Sequence, residues 1–329
     1  MRVKTTALSV PIFLFVVLFV NFAYKKPNVM VDIKTTTNEM VMIHREFTAP
    51  PFRHVTKSLD ELGPMDDTNS YILFFNRIPK SGSEVLVILI QWLQGPNNFR
   101  HVRLKDENKS RVNQKEMKDL VDLVEKRARN DAVPLCFDKP IHFVNFSVFD
   151  GQSPTYINLI RDPVDNFVAR YQFMSTTANP QDRYASLTMK NRMPIEKCIT
   201  TNNVKCNPID GNQYDFSISY FCGNDERCGL HNNKWALNTA KLIVDKYYPV
   251  VGVLDELNAT LAVLEKKIPY FFKGVQEMYH KDLLEQHHIN VNERKLKVTK
   301  SVRKYLKRLL ITEYEFYEWI KSRLFNELI

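Results

Sequence analysis

The fold of this 329-residue chain is decided by the stretch Tyr71-Ile72-Leu73-Phe74-Phe75-Asn76-Arg77-Ile78-Pro79-Lys80-Ser81-Gly82-Ser83. Its first half is an almost continuous apolar run, which is the pattern of a strand buried on both faces. Residues Glu84 to Leu93 then carry the apolar side chains of a buried helix, which ends before Gly95-Pro96. The stretch therefore predicts a strand, a glycine-containing loop and a helix, in that order.

The remainder of the chain alternates strand and helix patterns. Apolar runs predict strands at Ile141 to Phe146, Tyr156 to Ile160 and Val250 to Leu254, while 175–231 is typical of loops. Helical periodicity covers Asn113 to Arg129, Val164 to Phe173, Trp235 to Tyr247, Leu257 to Lys267 and Ser301 to Leu328. Such alternation predicts an α/β fold in which helices flank a parallel sheet, with a disulfide-containing loop region.

Composition limits the class of protein and of partner. Hydrophobic residues make up 44% of the chain, which argues against a disordered or fibrous protein. The 46 lysines and arginines exceed the 37 acidic residues and leave a formal charge of +9. A basic protein favours acidic partners, namely nucleic acid, phosphate compounds or sulfated glycans. The whole chain has only 9 glycines, so a glycine in the loop after the first strand is evidence that this loop has a special backbone conformation or function.

The N-terminus predicts membrane targeting. Thr5 to Tyr24 holds 20 uncharged residues, long enough to span a hydrocarbon core of about 30 Å. We expect a cytosolic tail at 1–6, a signal-anchor transmembrane helix at 7–24, a stem at 25–69 and a lumenal domain at 70–329. A cleaved signal peptide is the alternative, although Asn21-Phe22-Ala23 fits a cleavage site poorly.

Sequons and cysteines point to the same compartment. Glycosylation sequons begin at Asn108, Asn145 and Asn258. Four cysteines form two close pairs, Cys198/Cys206 and Cys222/Cys228, whose spacings lack the C-x₂-C form of a zinc site. Three connectivities are open to four cysteines, and we expect disulfides between the neighbours. Cys136 has an apolar context that indicates a buried free thiol, with an intermolecular bridge as the alternative.

The loop after the first predicted strand has the features of an anion site. A loop that leads into a helix presents free backbone N–H groups and the positive end of the helix dipole. Lys80 can reach an anionic oxygen, Gly82 permits close backbone approach, and the Ser81 and Ser83 hydroxyls add donors. The nucleotide-kinase form G-x-x-x-x-G-K-[ST] does not occur in this chain. An ordinary βα turn with a solvated lysine is the alternative.

A second anion-binding segment is Tyr156-Ile157-Asn158-Leu159-Ile160-Arg161-Asp162-Pro163. Arg161 leaves a predicted buried strand directly before a helix start, a position suited to bidentate phosphate contact. A surface ion pair between Arg161 and Asp162 is the alternative.

Taken in order, these motifs resemble those of Golgi sulfotransferases. Phe75 to Ser83, Ile141 to Phe146 and Val250 to Asn258 are most similar to the uronyl/heparan sulfate 2-O-sulfotransferase family. The likeness to its insect Pipe-type members extends through Pro269 to Gly274. The resemblance runs from about Tyr71 to the C-terminus and includes the cysteines that follow Phe221.

The resemblance implies a PAPS-dependent transferase with a P-loop-like parallel sheet. Such enzymes move sulfate from 3′-phosphoadenosine 5′-phosphosulfate (PAPS) to the 2-hydroxyl of a uronic acid, and they need no metal. On this basis His142 is the expected general base, Lys80 the residue that steadies the leaving oxygen, and Arg77 a contact to the anionic sugar. The expected PAPS contacts are Lys80, Ser81, Gly82, Ser83, Arg161, Thr299 and Lys300.

The resemblance also implies partners and a location. The acceptor would be an acidic glycosaminoglycan or a glycoprotein glycan rather than nucleic acid, and homo-oligomers would form. The protein would be a single-pass type II Golgi membrane protein whose catalytic domain is lumenal.

Three positions depart from the family pattern. Pro140 stands where the heparan branch has a second histidine, Ala169 where a serine usually binds the 3′-phosphate, and Glu84 where the residue is usually uncharged or basic. Glu84 would oppose donor binding unless it faces away or pairs with a cation. A catalytically weakened relative that binds glycan or nucleotide without efficient turnover is therefore the alternative function.

Overall fold

The computed structural model describes residues 68–106, 109–176, 193–201, 206, 215–286 and 298–329. Within them, five strands form one parallel sheet in the order β2-β3-β1-β4-β5. The strands are β1 (Thr68–Asn76), β2 (Arg100–Arg103), β3 (Leu135–Lys139), β4 (Ser153–Ile160) and β5 (Val250–Val253).

Helices flank this sheet, as the alternating pattern predicts. They are α1 (Ser83–Leu93), α2 (Gln114–Asn130), α3 (Pro163–Thr176), α4 (Ile195–Thr200), α5 (Ser217–Cys222), α6 (Lys234–Tyr247), α7 (Leu257–Lys267), α8 (Pro269–Phe272), α9 (Val275–Glu277), α10 (Lys300–Leu309) and α11 (Ile311–Asn326). A π-helix spans Met278–Gln286, and 3₁₀ turns span Phe146–Phe149, Glu226–Gly229 and Leu254–Glu256.

The central strand β1 lies between β3 and β4, and its apolar run is buried on both faces. Phe74 and Phe75 have no exposed surface, and Phe74 stands opposite Phe137 of β3 and Tyr156 of β4 in the register. All five strands run in the same direction, so the loops that leave β1, β3, β4 and β5 emerge at the same edge of the sheet. This carboxyl edge is where parallel sheets bind ligands.

A second, smaller apolar cluster joins the start of α3 to the C-terminal region. Val164, Phe167 and Val168 of α3 pack with Leu306 of α10 and with Leu310, all of them buried. This packing brings α10 to the helix that follows β4, and thus to the carboxyl edge of the sheet.

The strand predicted at Ile141 to Phe146 is wrong. These residues follow β3 without strand structure, because their backbone N–H groups do not bond to a neighbouring strand: His142 donates to Ser110, which precedes α2, and Phe143 donates to Tyr220 of α5. The short strands β2 and β3 were missed. The predicted C-terminal helix is two helices that meet at Leu310, and the loop-like 175–231 contains α4 and α5.

The cysteine predictions are confirmed. Disulfides join Cys198 to Cys206 and Cys222 to Cys228, with Cα–Cα distances of 6.0 and 5.6 Å. Cys136 is a buried free thiol in β3. The second bridge lies next to α5, and it closes the turn that carries Gly223.

Of the glycosylation sequons, those at Asn145 and Asn258 are described, and Asn108 lies outside the described residues. Asn258 is exposed at the start of α7, whereas the Thr260 of its sequon is fully buried and bonds to the backbone of Val253. The amide oxygen of Asn145 accepts a hydrogen bond from the Ser147 N–H. Thr260 therefore has a structural role besides completing a sequon.

The predicted cytosolic tail (1–6), the signal anchor (7–24) and the stem as far as residue 67 lie outside the described residues. In the part of the chain that is described, no helix combines the length and the apolar character needed to cross a membrane.

Candidate functional site

The loop between β1 and α1 has an unusual backbone. Lys80 and Gly82 have φ values of 63° and 81°, in the left-handed region that residues with side chains rarely adopt. Gly82 is the N-cap residue of α1 and has no side chain, so no side chain caps the first amide groups of the helix. Strained loops of this kind cluster at ligand sites, and a helix N-terminus attracts anions.

The two serine hydroxyls of this loop bond within the loop. Ser81 Oγ donates to the Ile78 carbonyl at 2.8 Å, and Ser83 Oγ lies 3.5 Å from the same oxygen. Both side chains are buried. Both hydroxyls, which are expected to act as ligand donors, thus contact the backbone of the turn, and the backbone N–H groups and Lys80 are the other expected contributions of the loop to an anion site.

Arg161 and the loop come together at the carboxyl edge of the sheet. The Arg161 guanidinium donates from Nη1 to the Lys80 carbonyl at 3.4 Å, and the Asn166 side chain of α3 donates to the Pro79 carbonyl at 3.0 Å. The Arg161 side chain therefore contacts the backbone of a loop residue 81 positions away in the chain. Burial lowers the pKa of Lys80, while nearby Glu84 opposes that shift. A bound anion would stabilise this desolvated ammonium group.

A cluster of charged side chains surrounds Arg77, next to the loop. The fully buried Asp138, in β3, lies 2.7 Å from Arg77 Nε through Oδ1 and 2.7 Å from His101 Nε2 through Oδ2. Glu84 lies 2.5 Å from Arg77 Nη1 and 3.2 Å from Arg103. The negative charge of Glu84, which was expected to oppose an anionic ligand, is therefore paired with two cations.

His142 is fully buried in the segment that follows β3. Its Nδ1 lies 3.0 Å from the Gly223 carbonyl, and because a carbonyl only accepts, Nδ1 carries the proton in this contact. The Tyr220 ring packs edge-on against the imidazole, with 4.8 Å between the ring centroids. These contacts fix the ring and leave Nε2 as the nitrogen with a free lone pair, as a general base requires.

The acidic partner of His142 is Asp215, which the sequence analysis missed. Asp215 Oδ2 lies 3.4 Å from Nε2, and the same oxygen accepts a hydrogen bond from Ser110 Oγ. Arg170 of α3 donates to the Asp215 backbone carbonyl. Burial alone would raise the pKa of Asp215, but His142, Ser110 and Arg170 lower it well below its usual range. No local pattern around Asp215 signals this contact, since 73 residues separate the two.

Thr299 and Lys300 lie at the start of α10, where Thr299 N–H donates to Glu196 at 2.6 Å. Arg303 of the same helix pairs with Asp165 and, at 3.1 Å, with Asp162, the residue that follows Arg161. The helix is thereby anchored beside the Arg161 segment.

A separate cavity of about 400 Å³ lies at the other edge of the sheet. Tyr71 and Leu135, at the amino-terminal parts of β1 and β3, line it together with Tyr270. None of the expected catalytic or donor-binding residues borders it, so this cavity is not part of the site.

Comparison with known proteins gives consistent matches. Residues 65–319 match the model of the Sulfotransferase family. The chain is 34% identical to uronyl 2-sulfotransferase of Homo sapiens, over 76% of this chain and 61% of the relative. It is 31% identical to the uronyl 2-sulfotransferase homolog pip of Drosophila melanogaster, over 77% of this chain and 52% of the relative. For heparan sulfate 2-O-sulfotransferase 1 of Gallus gallus the identity is 24%, over 81% and 74%. The chain thus spans about half to three fifths of the two uronyl relatives.

Proposed function

Because this chain belongs to the sulfotransferase family, we propose that it transfers sulfate from PAPS to the 2-hydroxyl of a uronic acid in a glycosaminoglycan or glycoprotein glycan. The observation that carries the proposal is the meeting of the Arg161 guanidinium with the Lys80 loop at the carboxyl edge of a parallel sheet. The names of the relatives, uronyl 2-sulfotransferase and heparan sulfate 2-O-sulfotransferase, support the choice of acceptor.

The residues present fit the donor. Lys80 and the backbone of Ser81, Gly82 and Ser83 would hold the 5′-phosphosulfate at the start of α1, where the N-cap has no side chain. Arg161 would bind the 3′-phosphate through its guanidinium fork. Thr299 and Lys300, at the start of α10, would add contacts from the helix that Arg303 anchors to Asp162.

PAPS supplies an activated sulfuryl group. The residues of this chain position the two substrates and stabilise the charges that develop during the transfer. His142 takes the proton of the acceptor hydroxyl at Nε2, since Nδ1 is held by the Gly223 carbonyl. The acceptor oxygen then bonds to sulfur as the bond between sulfur and the phosphate oxygen breaks. Lys80 meets the negative charge that this leaving oxygen acquires. Positioning and electrostatic stabilisation would do most of the catalysis, as in phosphoryl transfer.

Arg77 would contact the carboxylate of the uronic acid. Its guanidinium is oriented by the buried Asp138 and faces Glu84 at 2.5 Å. A sugar carboxylate would have to take the place that Glu84 occupies, or share the guanidinium with it. Glu84 has Arg103 as a second partner at 3.2 Å and would keep that partner if it gave up Arg77.

We place the enzyme in the Golgi lumen as a single-pass type II membrane protein that forms homo-oligomers. Two disulfides support an oxidising compartment, and the exposed Asn258 supports glycosylation on the secretory route. The anchor itself belongs to residues 7–24, outside the described part of the chain.

The function is tested by transfer of labelled sulfate from PAPS to a panel of desulfated glycosaminoglycans. Lys80→Ala and His142→Ala should each lower kcat by about a hundredfold or more, the usual contribution of a general base or of a charge-stabilising group. Lys126→Ala and His280→Ala, at exposed positions, are the matched controls and should leave the rate unchanged. Equal incorporation by the wild type and by both site variants would reject the proposal.

A catalytically weakened binding protein is the second candidate, and Ala169 is the observation that favours it. This α3 position, eight residues beyond Arg161, offers no hydroxyl to the 3′-phosphate. Binding of 3′-phosphoadenosine 5′-phosphate to a wild type that transfers no sulfate would support this second candidate instead.

A further inference from the structure

The basic nitrogen of His142 faces a carboxylate. In the described residues Nε2 has no hydrogen-bond partner, and the nearby acidic oxygen is Oδ2 of Asp215 at 3.4 Å. The imidazole has no exposed surface, whereas the Asp215 side chain keeps 30% of its exposure. The carboxylate is therefore in contact with solvent, and the imidazole is not.

Asp215 is held from three parts of the chain. Ser110, which precedes α2, donates its hydroxyl proton to Oδ2, and its backbone carbonyl accepts the N–H of His142. Arg170 of α3 fixes the backbone carbonyl of Asp215. The carboxylate is therefore placed beside the imidazole by the fold and is not a mobile surface group that happens to lie near it.

We infer that Asp215 is a positioning residue that acts through His142, by stabilising the imidazolium that forms when Nε2 accepts the acceptor proton. The inference rests on the proposed function, because it assumes that His142 is the base. In that step the O–H bond of the acceptor breaks and an Nε2–H bond forms, while the oxygen electron pair goes to sulfur. The resulting positive charge lies 3.4 Å from Asp215, a distance at which an opposite charge favours the protonated ring.

Three other ionisable groups lie close to this pair. Two of them keep the same charge near neutral pH, and the titration of the third can be removed by a substitution. Burial raises the pKa of Tyr220 to about 12, so its hydroxyl stays neutral. Arg170 stays cationic. Glu313 of α11 interacts electrostatically with Arg170. Burial raises the pKa of Glu313 to about 8, so this carboxyl group titrates within the pH range of the assay. A Glu313→Gln background therefore removes the one competing titration that these contacts reveal.

The experiment compares the pH dependence of kcat/KM in the wild type, Asp215→Asn and Asp225→Asn. Asp225 is the matched control, because it is exposed, pairs with Arg227 and caps its own 3₁₀ turn. Loss of the Asp215 charge should move the acidic limb to lower pH by about one unit and lower the plateau about tenfold. The control should move neither. Asp215→Ser also removes the charge, should move the limb in the same direction, and serves as the second variant if Asp215→Asn does not fold.

A readout without turnover separates this inference from the proposed function. The ¹⁵N signals of the His142 ring, assigned with His142→Gln, report the pH at which the ring loses its proton. In Asp215→Asn that midpoint should fall by about one unit, whether or not sulfate is transferred. An unchanged midpoint, or an acidic limb that stays in place while His142→Ala abolishes activity, would overturn the role of Asp215. Activity retained in His142→Ala would reject the assigned base and leave the NMR result to decide the contact.

Discussion

Oε1 of Glu84 lies 2.5 Å from Nη1 of Arg77 at the carboxyl edge of the sheet. Glu84 stands in the first turn of α1, directly after the loop that is proposed to hold the donor phosphosulfate. The carboxylate also raises the pKa of Lys80, against the larger effect of burial. One acidic side chain thus bears on both the proposed acceptor contact and the proposed donor contact, and its removal should affect both.

Glu84→Gln should bind 3′-phosphoadenosine 5′-phosphate more tightly than the wild type. The amide removes a negative charge near the proposed phosphate site, and at a partly solvated position such a charge is worth about 0.5–1 kcal/mol, or two- to fivefold in Kd. Titration calorimetry at low ionic strength measures this change. Glu277→Gln, which breaks an exposed pair with Lys281, is the control and should leave Kd unchanged. Weaker binding by Glu84→Gln would show that the carboxylate supports the site.

Ala169→Ser should also strengthen donor-product binding. A hydroxyl at this α3 position would restore a charge-assisted hydrogen bond to the 3′-phosphate, worth about 1.5–3 kcal/mol or roughly tenfold or more in affinity. Ala128→Ser, at the cavity on the other edge of the sheet, is the matched control. The same calorimetric titration compares the two variants, and an affinity that Ala169→Ser leaves unaltered would contradict this account of the position.

Gly82→Ala should destabilise the protein more than Gly274→Ala does. Both glycines have φ of 81°, so both substitutions carry the cost of about 1–2 kcal/mol for a side chain in the left-handed region. Only at Gly82 would the new Cβ also meet a neighbour, Leu254 Cδ1 at 2.6 Å, whereas nothing lies within 4 Å at Gly274. Urea unfolding should show a larger loss for Gly82→Ala by roughly 1–3 kcal/mol. The double variant Gly82→Ala with Leu254→Ala should close part of that gap, and a difference that persists in full would exclude the contact as its cause.

Stability should fall with rising pH because of Glu313. Burial raises its pKa to about 8, while the Ile218 N–H, which donates to Oε1 at 3.2 Å, opposes that shift. Between its ordinary pKa of 4.5 and this value, the unfolded chain is ionised and the folded protein holds the proton. The folded state therefore binds more protons, and the free energy of unfolding declines by at most about 1.4 kcal/mol per pH unit in that window.

Glu313→Gln keeps an oxygen acceptor for the Ile218 N–H and removes the titration. Relative to the wild type, this variant should become steadily more stable between about pH 5 and pH 8 in urea unfolding experiments. Glu315→Gln, on the same helix but in an exposed pair with Lys241, is the control for the loss of one carboxylate. Parallel pH profiles of the wild type and Glu313→Gln would contradict the assigned titration.

Much of the architecture was predictable from local patterns. The run that ends at Asn76, the loop with Gly82 and the helix that follows are visible in the sequence, because a strand buried on both faces needs a continuous apolar run. The pairing of the four cysteines was also predictable, since short spacings favour neighbours. By contrast, β2 and β3 escaped detection because they are four and five residues long and carry Arg100, Arg103, Asp138 and Lys139.

The segment Ile141 to Phe146 shows why an apolar run is ambiguous. Its side chains are mostly buried, as a strand pattern predicts, but its backbone bonds to Ser110 and Tyr220 after the sheet has ended. Burial is encoded by residue type, whereas strand structure also needs a neighbouring strand to bond with. Burial can therefore be read from the local sequence, whereas the presence of a neighbouring strand depends on the topology of the whole domain.

By itself the sequence determined the parallel α/β sheet, the strand–loop–helix around Lys80 and the position of Arg161 at a strand end, and it favoured disulfides between neighbouring cysteines. Only the tertiary structure decided which charges meet: Asp215 with His142, Asp138 with Arg77 and His101, and Glu84 with Arg77 and Arg103. The reason is physical. Periodic apolar patterns report on the burial of each element, but an ion pair between residues distant in the chain depends on distances that only the packed elements set.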